Sequence, residues 1–189
     1  MKYLKLGINI IIMSYLVSCS ASYDRLTKLE KNSPNSFQEY LLDEYKIKAI
    51  YEAEEMHDWN SAKFYSEKAL RSIDSEDIYP EKTSYWKLPK ESISELETAY
   101  ESLLLIYEDA KLVDPYNLAK SIVSLDCWFE QQEEVWQTWD IEKCKNDFLN
   151  SMHKIYNRIV ENNKDNKINL KLNKKDKATV VTKNKNDEI

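Results

Sequence analysis

The chain has 189 residues, 32% of them charged and 12% aromatic, with a formal net charge of −6. That length suits one domain with a full core rather than two, and the acidic balance argues against nucleic acid as a partner. The single glycine, Gly7, and only four prolines nearly exclude phosphate-cradling loops, dinucleotide fingerprints and tight hairpin turns, while abundant Glu, Lys, Leu, Ala and Tyr predict an all-α fold.

Lys2 and Lys5, the apolar run from Leu6 to Leu16, and the tetrad Leu16-Val17-Ser18-Cys19 have the form of a bacterial lipoprotein signal. A positive start, a short apolar centre and a small residue before the cut define a secretory signal, and the apolar centre is too short to span a bilayer. The reading makes 1–18 a signal peptide and Cys19 the lipidated, palmitate-bearing N-terminus. Ser20, where aspartate favours inner-membrane retention, points to a lipid anchor in the outer membrane, facing the periplasm. Without Lys2 and Lys5 the net charge becomes −8. Eight lysines against four acids over 162–189 then give +4 there, and −12 for 19–161.

Residues 19–35, polar and closed by Asn32-Ser33-Pro34-Asn35, read as a tether, and 36–161 as the helical domain. Phe37, Leu41, Leu42, Tyr45, Ala49, Ala53 and Met56 keep helical spacing; Ala62, Tyr65, Ala69, Leu70 and Ile73 resume it after Asp58, an expected N-cap. This first hairpin, with Trp59-Asn60-Ser61-Ala62 and then Ala69-Leu70, is tetratricopeptide-like, with no second copy at a period of about 34 residues.

A loop from about Asp74 to Leu88 carries Tyr79, Pro80, Tyr85 and Trp86. A third helix opens at Pro89, with Ile93, Leu96, Tyr100, Leu103, Tyr107 and Ala110 on one face. Asp114-Pro115 ends it and caps a fourth, with Leu118, Ile122, Leu125 and Phe129 inward. A joint over Val135 to Trp139 leads to a fifth, through Ile141, Cys144, Phe148, Met152, Ile155 and Ile159. The expectation is a five-helix bundle of antiparallel hairpins. The lysine- and asparagine-rich segment 162–189 lacks helical period and reads as a disordered basic tail, solubilising or in contact with anionic glycan or lipid.

With Cys19 acylated, Cys127 and Cys144 are expected to form a disulfide, as the compartment is oxidising and their positions flank a helix joint. Closing 17 residues contributes about 3 kcal/mol in the chain-entropy model. No Cys-x-x-Cys spacing suggests a redox pair. Glu130, Glu133 and Glu134 read as a solvated helix end rather than a catalytic pair, and His57 as a surface histidine rather than a metal ligand. Trp59 and Trp128 are assigned to packing. Trp86, Trp136 and Trp139 lie in loops and form the candidate partner surface, at least two of them expected to be exposed.

The run Asp126-Cys127-Trp128-Phe129-Glu130-Gln131-Gln132-Glu133-Glu134 with its later Cys144 resembles the N-terminal helical domain of alphaproteobacterial lipoproteins, many of which carry an OmpA-like peptidoglycan-binding domain after it. Tyr51 to Trp59 and Trp86-Lys87-Leu88-Pro89 are similar to that family's first hairpin joint and the start of its third helix. The resemblance covers about residues 40–150 and implies a helical envelope domain. After Asn162 this chain has no OmpA-like domain, so the family's grip on peptidoglycan does not carry over. The expected function is a non-enzymatic outer-membrane lipoprotein whose helical domain engages a periplasmic or outer-membrane protein. It has no cofactor, metal or catalytic residue. The alternative is a structural tether between outer membrane and peptidoglycan, direct or through an OmpA-like partner.

Overall fold

The structure, a computed structural model, describes residues 21–30, 33–74, 78–135 and 138–184, with side chains in the last helix as far as 164. These residues form an all-α bundle: α1 over 21–27, α2 (Phe37–Glu54), α3 (Trp59–Asp74), a 3-10 turn (Thr83–Tyr85), α4 (Lys90–Val113), α5 (Pro115–Glu134) and α6 (Thr138–Asn184). The expected signal peptide, 1–18, and Cys19 lie outside the described residues.

Polar side chains start the helices. Ser36 Oγ accepts from Glu39 N–H at 3.3 Å, and Asp58 Oδ1 accepts from the N–H groups of Asn60 and Ser61 at 2.8 and 3.1 Å. Asp114 serves two helices at once. Its N–H donates to Ala110 O to close α4, while its carboxylate accepts from Asn117 N–H to open α5, with Pro115 supplying the first turn.

α2 and α3 form a hairpin packed through small residues, Ala49, Ala53, Ala62, Ser66 and Ala69, all buried, which lets the two backbones approach closely. α5 packs on α2, α4 and α6 and buries most of its circumference, from Leu118 to Gln131. The expected inward residues Leu118, Ile122, Leu125 and Phe129 are all fully buried. Cys127 and Cys144 join α5 to α6 in a disulfide with Cα atoms 5.7 Å apart, as expected.

Three features depart from the expectation. Residues 21–27, read as tether, are helical: Tyr23 and Leu26 enter the core, and Tyr23 Oη donates to Glu54 Oε1 at 3.1 Å. Three apolar positions, Tyr23, Leu26 and Leu29, are too few for a period to stand out. The described residues therefore hold six helices, not five. Finally, α6 runs on to Asn184 through the segment expected to be disordered. Residues 162–184 contain neither glycine nor proline, so nothing in the backbone stops a helix already propagating from the packed end. At 47 residues α6 is about 70 Å long.

With no glycine among the described residues, the fold places His57 and Val135 at positive φ, 57° and 65°. Val135 ends α5 in the left-handed conformation, its N–H donating to Gln131 O. A β-branched residue is strained there.

Candidate interaction surface

The loop between α3 and α4 is held by a buried polar network. Lys68 of α3 is 1% exposed, and its Nζ lies 2.8 Å from Asp126 Oδ2, 3.0 Å from Tyr79 O and 3.1 Å from Glu81 Oε1. Asp126 is fully buried in α5. It also accepts from Tyr45 Oη at 2.6 Å and from Glu81 N–H at 2.7 Å. Three acceptors meet the three ammonium donors and three donors meet the carboxylate, so the pair is buried without unmet hydrogen bonds. Burial, and then the charge of Asp126, hold the Tyr45 hydroxyl well above its ordinary range, so it remains a donor. The network ties the loop backbone at Tyr79 and Glu81 to three helices.

Aromatic rings continue the attachment. Tyr79 lies 4.5 Å from Tyr107, whose Oη donates to Ile78 O at 3.2 Å. Trp86 packs against Phe64 at 5.3 Å and Phe129 at 6.3 Å, and Lys87 N–H donates to Glu133 Oε1 at 2.8 Å. Between this loop and α4 lies an open groove of about 820 Å³, with Tyr79, Tyr85, Tyr100, Tyr107 and Leu104 on its walls and the charges of Arg71, Lys82 and Glu108 beside them. Tyr79 and Tyr85 present much of their rings to solvent. Farther round α4, Leu105 and Leu112, each 84% exposed, extend the apolar surface away from the core.

The three candidate tryptophans divide. Trp139 is exposed at 68%, yet Trp86 is half-buried beneath the loop, and Trp136 lies outside the described residues. The loop closes over Trp86 because Phe64, Tyr85 and Phe129 surround its ring; its buried Nε1 has no hydrogen-bond partner among the described residues. Trp128 is core as expected, whereas Trp59 is exposed, edge-on to Tyr23 at 5.6 Å.

Glu130 is also a correction: it lies inside the bundle, not on a solvated end. Tyr65 Oη donates to its Oε2, and Lys48 and Glu52 lie nearby. Burial raises its carboxyl to about 7, with Lys48 opposing and Glu52 adding to the shift. The group can gain or lose a proton near neutrality, but inside the packing of α2, α3 and α5. His57 is exposed, and no group of three potential metal ligands occurs among the described residues.

The sequence places Tyr45 in an apolar stripe and Asp126 in the run that carries the resemblance, but gives neither of them, nor Lys68, a part in a polar network. A signal existed. Lys68 lies three residues after Tyr65 and Asp126 four after Ile122, so opposite charges sit within apolar stripes of two helices.

The chain matches no family model, no curated protein and no solved structure. No helix among the described residues is long and apolar enough to cross a membrane.

Proposed function

We propose that this chain is a non-enzymatic envelope lipoprotein, acylated at Cys19 in the outer membrane, whose tetratricopeptide-like helical domain captures a periplasmic or outer-membrane protein. The observation that carries the interaction reading is the tyrosine-walled groove on a loop fastened by Lys68 and Asp126. Rigid aromatic rings on a fixed backbone lose little entropy when a partner covers them. The lipoprotein signal supplies the address, and the resemblance over residues 40–150 supports an envelope domain. A structural tether to peptidoglycan is the second reading, favoured by the helical continuation of α6, which carries seven lysines against two acids over 162–184.

A photo-crosslinking residue at Tyr85 in cells tests the first reading. A discrete protein adduct, weakened at least tenfold by Tyr79→Ala in the same chain, supports groove capture. Adducts identical to those from exposed Leu149 overturn it. Sedimentation with purified sacculi, lost on truncation at Asn162, favours the tether instead.

A further inference from the structure

The joint between α2 and α3 forms a second cleft, of about 440 Å³, which shares no residue with the tyrosine groove. Three carboxylates line it: Glu52, Asp58 and Glu134. No lysine or arginine is among its lining residues. Glu52 is paired with Lys48 Nζ at 2.5 Å and Asp58 caps α3, so Glu134 is the carboxylate without a cation. Burial, then the charges of Asp58 and Glu52, hold the Glu134 carboxyl above its ordinary range, and Lys48 only partly opposes them.

A second observation is independent of these acids. Gln131, only 3% exposed, also lines the cleft, and its buried Oε1 accepts no hydrogen bond from the described residues. An amide oxygen removed from water without a donor is costly, and a ligand that supplies the donor removes that cost. A cation that carries several N–H donors answers both the Glu134 carboxylate and this oxygen. Trp59, half-exposed at the same cleft, offers an aromatic face on which a planar cation can stack.

We infer that this cleft binds a guanidinium group, presented by an arginine side chain of a partner protein. Guanidinium fits better than ammonium because its fixed fork reaches a carboxylate and an amide oxygen together while its plane lies on an indole. The site is independent of the lipid anchor and of the groove.

Isothermal titration of the full-length chain with the peptide Gly-Gly-Arg-Gly-Gly tests it, against peptides with citrulline or lysine in place of arginine. The expected result is saturable one-site binding of the arginine peptide, at least tenfold weaker with citrulline and severalfold weaker with lysine. Glu134→Gln should weaken binding about tenfold and Gln131→Leu severalfold, with helix content unchanged; if Gln131→Leu disturbs folding, the partly exposed Glu134→Gln decides. No saturable binding at millimolar peptide, equal binding of the citrulline peptide, or no effect of Glu134→Gln overturns the inference. Free argininamide binding as tightly as the peptide overturns its assignment to a protein side chain. Both variants lie outside the groove, so failure here leaves adduct formation at Tyr85 as a separate test.

Discussion

Lys68 Nζ lies 2.8 Å from Asp126 Oδ2, with both side chains shut away from solvent between α3 and α5. The pair does more than join two helices. Through Tyr79 O and Glu81 N–H it fixes the loop that forms one wall of the tyrosine groove.

Removing one charge strands the other in the core. Lys68→Met should therefore cost about 3–5 kcal/mol in urea unfolding. Adding Asp126→Asn should recover part of that loss, because asparagine carries no charge, its single amide oxygen still accepts from Glu81 N–H, and its NH2 can donate to Tyr45 Oη. A loss below about 1 kcal/mol for Lys68→Met contradicts the structural role given to the pair.

Glu130 should make stability depend on pH. Its folded carboxyl titrates at about 7, raised by burial, against about 4.3 in an unfolded chain. Between those values the native state binds more protons, so stability falls as pH rises from about 4.3 to 7 and levels above it. The loss is on the order of 3 kcal/mol. Glu44 and Glu134 are raised too and act in the same direction. Urea midpoints from pH 4.5 to 8 should decline for the native chain. For Glu130→Gln the decline should be much shallower, carried by Glu44 and Glu134 alone, and the midpoint at pH 8 higher. Parallel profiles for the two proteins contradict the assignment.

Val135 ends α5 at φ 65°, where its branched side chain is strained, and it is half-exposed, so little packing is lost on truncation. Val135→Gly should raise stability by about 1 kcal/mol. Val135→Ile should not. A urea midpoint that falls with glycine contradicts the strain.

The helices from 37 to about 160 were legible because each carries an apolar stripe and most have a polar cap in the sequence. The Cys127–Cys144 bond followed from its place across a helix joint. The first helical residues, 21–27, escape because about two turns with so few apolar positions have no measurable period. Helix through 162–184 escaped because its polar composition gives no stripe, although nothing there breaks a helix. The candidate surface is less legible, because a loop position alone does not fix how much of Trp86 is exposed. Whether an aromatic ring faces water is decided by distant residues: Phe64 and Phe129 cover Trp86, while Tyr79 and Tyr85 are left at the surface. Glu130 was misplaced for the same reason. Its burial depends on Tyr65, a partner 65 residues away.

The proposed envelope address would decide which partners can reach the groove and the joint, and mass spectrometry of the N-terminus of protein isolated from membranes tests it most directly. The account predicts an N-terminal peptide beginning at Cys19 with a diacylglyceryl thioether on Sγ, absent from the Cys19→Ala variant. A protein that retains residues 1–18, or one processed elsewhere with Cys19 unmodified, contradicts it.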